Sequence, residues 1–146
     1  MKYVPWLALS ALLLVPTAQA QVPVDTRQKV DMPPAAVAVF REEMQTKLQA
    51  LHRVMVALAE NDPAAAADEV EARLGMGAMG QHAKLPREAC PGLHVPDALH
   101  ALGRQSHREG SVLAAALKSG ERARIDAALR DVAATCVACH ATYRIH

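Results

Sequence analysis

The sequence predicts an all-α fold, an antiparallel up-down bundle of four helices in one domain. Four segments repeat their apolar residues at alternating steps of three and four, which is the period of one face of a helix. No segment alternates apolar and polar residues as a half-buried strand does. Most predicted connections are short, which favours antiparallel neighbours in a bundle.

Residues 1–20 are predicted to be a cleaved export signal. Lys2 begins a short basic region, residues 7–15 are apolar, and Ala18-Gln19-Ala20 is typical of a cleavage site. The apolar run is short and is flanked by Pro5 and Pro16, so an uncleaved anchor is the weaker alternative. We therefore expect a mature domain over residues 21–146, located in the periplasm and without a membrane span.

The first helix is predicted from Pro33-Pro34 to about Glu60, because proline suits the first turn of a helix. Residues 21–32 before it show no clear period and are interpreted as an extended lead-in. The predicted buried stripe of this helix consists of large apolar residues: Phe40, Met44, Leu48, Leu51, Met55 and Leu58.

The second helix is predicted over residues 64–74, with Asp62 as its cap and Pro63 at its first position. Its inward residues are expected to be Ala67, Val70 and Leu74. Residues 75–83, which contain three glycines, are either a loop or a frayed helix. Residues 84–95 form the longest predicted loop.

The third helix is predicted to begin at Pro96-Asp97 and to end at Ser119-Gly120. Its stripe contains small residues that would let a neighbouring helix or the edge of a cofactor come close to the backbone: Gly103, Ser106 and Gly110. The fourth helix is predicted from Glu121 to about Tyr143, with an inward stripe of Ile125, Leu129, Val132, Cys136, Cys139 and Tyr143.

This last helix carries the motif Cys136-Val137-Ala138-Cys139-His140, and C-x-x-C-H is the spacing of a covalent c-type haem attachment site. On a helix the two cysteines and the histidine stand at i, i+3 and i+4 and share a face. Two thiols can then bond the vinyl groups of a haem, while the imidazole coordinates the iron. The alternatives are a chance match, a redox C-x-x-C or a zinc pair. Export and the lack of a βαβ pattern favour haem.

Composition agrees with a bound cofactor. Beyond residue 20 the only aromatic side chains are Phe40 and Tyr143, and the apolar residues are mostly Ala, Leu, Val and Met. A large flat apolar ligand would supply bulk that such a core lacks. Basic and acidic residues are balanced, and no basic stripe of the kind that binds nucleic acid is present.

With these features the sequence resembles the class II c-type cytochromes, the cytochrome c′ family and its low-spin relatives, over the whole mature chain. The most specific element is C-V-A-C-H-A-T-Y-R at residues 136–144, because class I cytochromes c carry the motif near the N-terminus. The resemblance implies one haem c, with thioethers from Cys136 and Cys139 and His140 as the proximal iron ligand.

The same resemblance implies roles for two arginines. Arg144, four residues after His140, matches a basic residue close to the haem, and Arg41 matches an arginine of the first helix near the propionates. The alternative for Arg41 is a solvated surface charge.

The residue over the iron decides between two functions. If Met44 is the sixth ligand, His/Met ligation suits a periplasmic electron carrier that serves redox partner proteins and is not an enzyme. If the distal site is open, the protein is a five-coordinate cytochrome c′-type protein that binds NO or CO. Among the histidines, His82 is the rival to watch, since the others are expected at the surface.

Cys90 is the odd cysteine of an exported chain, which indicates either a disulfide-linked homodimer or a free thiol. Its place on a predicted loop between Ala89 and Pro91 leads us to expect exposure.

Overall fold

A computed structural model describes residues 24–145, so the predicted export signal and the terminal His146 lie outside the described residues. This part of the chain is mostly helical, as predicted. It contains helices α1 (Pro34–Ala59), α2 (Ala67–Arg73), α3 (Asp97–Ser119) and α4 (Arg122–Thr142). None of the helices within residues 24–145 combines the length and apolar character needed to cross a membrane.

Helix α1 has the predicted bounds to within one residue, but its buried face differs from the prediction. Ala50, Val54 and Ala57 are fully buried, whereas Leu48 and Met55 are 66% and 58% exposed. The predicted stripe followed the largest apolar side chains. The observed interface is instead centred on small residues, which let α2 approach closely, and the predicted Leu51 and Leu58 pack at the edge of this core.

Helix α2 is preceded by a short 3-10 turn, Pro63–Ala66, which begins at the predicted proline. Asp62 occupies the position before it, but its side chain makes no capping hydrogen bond, so that prediction is wrong. The main chain closes the turn instead, because the Ala65 N–H donates to the Asp62 carbonyl at 3.2 Å. The inward residues are buried as predicted: Ala67, Val70 and Leu74.

The segment between α2 and α3 is a loop that contains three 3-10 turns: Met76–Ala78, Arg87–Ala89 and Pro91–Leu93. Of the two alternatives predicted for residues 75–83, a loop or a frayed helix, the structure shows the loop. Gly75 and Gly77 lie against Glu71 of α2, whose carboxylate accepts the Gly77 N–H at 2.9 Å. The loop therefore turns back over the end of α2.

Helices α3 and α4 make the most extensive contact between elements, and α3 also packs on α2. Gly120 joins α3 to α4 with a φ of 69°, a left-handed conformation that glycine adopts without steric cost. Gly110 of α3 lies directly against the Leu74 carbonyl at the end of α2. The predicted close approach at the small residues of α3 is confirmed at this glycine.

Two short strands close the chain on itself, and the sequence did not predict them. Strand β1 (Gln28–Val30) pairs in parallel with β2 (Tyr143–Ile145), with Gln28 beside Tyr143 and Val30 beside Ile145. The predicted extended lead-in is therefore partly a strand, and α4 ends one residue before Tyr143. Three residues per strand are too few to show an alternating pattern in the sequence.

Candidate functional site

A cavity of about 480 Å³ lies between α1, α3, α4 and the loop that joins α2 to α3. Its volume is within the range of pockets that hold small molecules and cofactors. Cys136, Cys139 and His140 all line it. Because α4 is regular through Thr142, these three side chains share a face, while Val137 between them is 67% exposed on the outside.

The two thiols of the motif are free and half-buried. Burial raises the pKa of the Cys139 thiol, and the neighbouring Cys136 adds to the effect, so Cys139 carries its proton at neutral pH. A protonated thiol is a poor nucleophile in disulfide chemistry. His140 is exposed although it lines the cavity, so it lies where the cavity meets solvent.

Helix α1 contributes Met44 to the wall of the same cavity, together with Phe40 one turn earlier. Both side chains are partly buried. The thioether predicted as a sixth ligand and the histidine predicted as the proximal ligand therefore line the same space. Arg41, by contrast, is exposed on α1 and is not among the residues that line this cavity.

Arg144 lies in β2, beyond the end of α4, and is engaged with the N-terminal segment. Its Nε donates to the Arg27 carbonyl at 3.3 Å and lies 3.8 Å from Oδ2 of Asp25. It is not among the residues that line the cavity. The haem-proximal roles that the resemblance implies for Arg144 and Arg41 stay predictions.

The structure also brings into the cavity a polar pair that the sequence did not connect. His82, in the loop, lies with Nε2 at 2.8 Å from Oε1 of Glu43 on α1, and both side chains are largely buried. The sequence singled out His82 among the histidines but gave no sign of its partner, since they are 39 positions apart. Only the folding of the loop over α1 joins them.

His107 of α3 is the second polar group that the sequence missed, because it was interpreted as a surface residue. Its Nδ1 lies 3.0 Å from the carbonyl oxygens of both Leu74 and Gly75. Nδ1 therefore carries the hydrogen and donates, which leaves Nε2 with the lone pair. Burial lowers the pKa of His107, and the charge of Lys47 lowers it further. The sequence did contain a signal for this position: His107 is four residues after Gly103 and three before Gly110, so it lies on the face of the helix that carries these two glycines.

Cys90 is half-buried on the cavity wall, so the exposure predicted for it is wrong. Its Sγ is 3.5 Å from the His82 carbonyl and 3.7 Å from the Leu85 carbonyl, which the thiol reaches as a weak donor. The turns at Arg87–Ala89 and Pro91–Leu93 on either side direct it inward. A disulfide to a second copy would require this thiol to leave the wall.

Within residues 24–145 no three side chains among His, Cys, Asp and Glu are grouped so as to hold a metal ion by themselves. The motif therefore places two thiols and an adjacent imidazole on one face of α4, beside a cavity of about 480 Å³. Comparison of the chain with family models, with curated proteins and with solved structures found no match.

Proposed function

We propose that the protein is a periplasmic c-type cytochrome, an electron carrier with one covalently bound haem c. The observation that carries this proposal is the opening of Cys136, Cys139 and His140 onto a single cavity. Free thiols at i and i+3 suit two thioether bonds, and the volume of about 480 Å³ suits a cofactor. A redox dithiol or a zinc pair would not account for the rest of this cavity.

Each residue then has a defined task. Cys136 and Cys139 would hold the cofactor, and His140 would bind its iron. Met44 would be the second iron ligand from the protein, and ligation by His and Met raises the reduction potential. When bound, haem supplies a one-electron couple, which the chain tunes through its axial ligands and an apolar wall that includes Phe40.

The same proposal includes the arrangement of the helices as an antiparallel up-down bundle. Gly120 and Glu121 alone connect α3 to α4, and so short a link favours antiparallel neighbours. The contacts of α2 with α1 and α3 support successive packing. The resemblance to class II c-type cytochromes supports the same arrangement, because that family places the attachment motif on the last helix. It also supports export of the chain and electron transfer with redox partner proteins.

A five-coordinate protein that binds NO or CO is the second candidate, and one observation favours it. The cavity holds polar groups besides Met44, including the Glu43–His82 pair and the fixed ring of His107. The imidazole of His82 can donate a hydrogen bond to a small bound ligand, whereas Nε2 of His107 carries a lone pair and can only accept one. A low-spin ferric spectrum with a methionine–iron charge-transfer band supports the carrier, and a high-spin spectrum with ready CO binding supports the gas-binding protein.

Covalent attachment is the decisive test. The full chain, expressed with a competent haem maturation system, is expected to stain for haem on a denaturing gel and to begin at Gln21 after export. Cys136→Ala combined with Cys139→Ala is expected to remove the stain. Cys90→Ala is the matched control, because it removes the third thiol of the same cavity and is expected to keep the stain. A colourless wild-type protein would overturn the proposal.

A further inference from the structure

The end of α4 leaves one carbonyl beside the attachment motif without its ordinary helical partner. The Tyr143 N–H donates to the Cys139 carbonyl and closes the last regular turn. The next carbonyl, that of His140, would be served by the N–H of Arg144, but Arg144 belongs to β2. Arg27 replaces that donor, with Nη1 at 3.2 Å from the His140 carbonyl oxygen. A cation is also favourable at the negative end of a helix.

Arg27 is itself held in place by Asp25. The guanidinium donates from Nε to Oδ1 at 2.9 Å and from Nη2 to Oδ2 at 2.7 Å, which is a planar two-point contact. The Arg27 backbone N–H donates to the same carboxylate at 3.1 Å. This pairing holds the pKa of the Asp25 carboxyl well below its usual range, so the carboxylate stays charged. The third arm of the guanidinium is thereby aimed at His140.

The segment that carries these two residues is anchored on both sides of the contact. Directly after Arg27, β1 pairs with β2, and Val30 is buried in a small cluster with Leu99 and Tyr143. Cys139 packs against that cluster. Before β1, Asp25 also lies 3.8 Å from Nε of Arg144. Residues 25–30, which we call the clasp, therefore meet the chain both in and after the motif.

We propose that the clasp sets the orientation of His140 and that Arg27 is the positioning residue that does so through the His140 carbonyl. This inference rests on the proposed function, because it matters only if the imidazole of His140 is an iron ligand. The ring of His140 is exposed, so little packing fixes it. The last turn of α4 must therefore be held by its backbone, and Arg27 supplies the hydrogen bond that the helix cannot.

The test uses the haem-loaded full chain with Arg27→Ala. Haem attachment is expected to persist, because both thiols are untouched. The amide of Tyr143 is expected to exchange with solvent about fivefold faster, as loss of one hydrogen bond allows. The ferric spectrum is expected to change from one species to a mixture, because the imidazole of a frayed turn takes several orientations. Arg27→Lys, which keeps a charged donor, is expected to restore a single species.

Arg122→Ala is the matched control. Arg122 also pairs with an aspartate, Asp126, on α4, but at the far end of the helix from the motif. It is expected to leave both the spectrum and the exchange of Tyr143 unchanged. Asp25→Asn keeps Arg27 but removes the carboxylate that orients it, and is expected to act like a weaker Arg27→Ala.

Two results separate the two proposals. A haem-loaded Arg27→Ala protein with the wild-type spectrum and wild-type exchange at Tyr143 would overturn the positioning role and leave the proposed function intact. A wild-type chain without covalent haem would overturn the proposed function itself. If Arg27→Ala does not accumulate, Arg27→Lys is compared with Asp25→Asn instead. A mixture of species in Asp25→Asn together with a single species in Arg27→Lys supports the inference. Wild-type spectra in both variants refute it.

Discussion

Met44 is the residue on which the chemistry of the proposed iron site depends. It reaches the cavity from α1, and its partly buried thioether is a soft, flexible ligand. Met44→Leu keeps the apolar volume and removes the sulfur. We expect covalent haem to be retained, the iron to become high-spin, and CO to bind readily, as followed by visible absorption.

Two other methionines serve as controls for that substitution. Met55 is on the same helix but is 58% exposed, so Met55→Leu is expected to leave the spectrum unchanged. Met79 lines the cavity from the loop, so the spectrum of Met79→Leu tests whether this second thioether reaches the iron instead. An unchanged low-spin spectrum in Met44→Leu would show that Met44 is not the ligand.

His107 makes the stability of the chain depend on pH. Its folded pKa is lowered below the usual 6.5, so the unfolded chain binds the proton more readily than the folded chain. The contribution of His107 to stability is therefore complete above pH 6.5, the usual pKa, and is lost as the pH falls through the lowered pKa of the folded chain. His107→Gln removes this titration, so its thermal midpoint is expected to fall less than that of the wild type between about pH 7.5 and pH 5.

His52→Gln is the control for the pH experiment. His52 is exposed on α1, and its replacement is expected to leave the pH dependence as in the wild type. If His107→Gln and the wild type lose stability in parallel on acidification, the ring of His107 is not the group responsible.

At this scale the sequence predicted the shared face of Cys136, Cys139 and His140, and it missed the polar groups that tertiary packing brings beside them. The motif spacing of Cys136, Cys139 and His140 is a property of one helix, so it could be assigned before any tertiary structure was known. Glu43 and His107 enter the same cavity only because the loop and α3 pack on α1 and α2. Cys90 was expected to be exposed because it lies in a loop, and the two turns around it were not recognisable.

Among the elements, α3 shows most clearly how a small residue sets a helix contact. Gly110 touches the Leu74 carbonyl, and an added Cβ would also lie 2.8 Å from the Gly75 nitrogen. Those atoms are backbone and cannot move alone. Gly110→Ala is therefore expected to destabilise the chain by about 1–3 kcal/mol, measured by urea unfolding, as overpacking does.

Gly103→Ala is the matched comparison, because it is on the same helix and an added Cβ would have no atom within 4 Å apart from the adjacent residues and backbone of α3 itself. In the chain without haem it is expected to stabilise by up to about 1 kcal/mol, since alanine favours a helix interior over glycine. Equal effects of the two substitutions would contradict the close contact at Gly110.

Element boundaries were predictable where proline restricts φ, as at Pro34 and Pro63, and where glycine permits a positive φ, as at Gly120. The buried face of α1 was less predictable. The predicted stripe followed the large side chains, but the smaller residues beside it are the ones that pack, because Ala50 and Ala57 allow a closer approach. The β1–β2 pair was not predictable, since its partners are at opposite ends of the chain and each has only three residues.

The molecule as a whole is divided into a packed half and a cavity half. The largest fully buried side chains all belong to one cluster formed by the end of α1, α2, the second half of α3 and the first half of α4: Leu113, Leu117, Ile125, Val54, Val70 and Val132. The cavity lies at the opposite ends of α1, α3 and α4, where the motif is. Packing holds the first half, and the second half encloses space that a cofactor is proposed to fill.

This division predicts different local stabilities in the two halves. In the chain without haem, obtained with Cys136→Ser and Cys139→Ser, amides near Val54 and Leu117 are expected to exchange slowly, whereas those of residues 76–107 exchange quickly. Covalent haem is expected to slow exchange mainly in the cavity half, because the attached group packs against the cavity wall only when the chain is folded. Hydrogen exchange followed by mass spectrometry measures both. Leu113→Ala is expected to cost about 2–5 kcal/mol with or without haem, because its cavity opens in the packed half. Uniform protection along the haem-free chain would contradict the division, since it would show that the cavity half holds its structure without a cofactor.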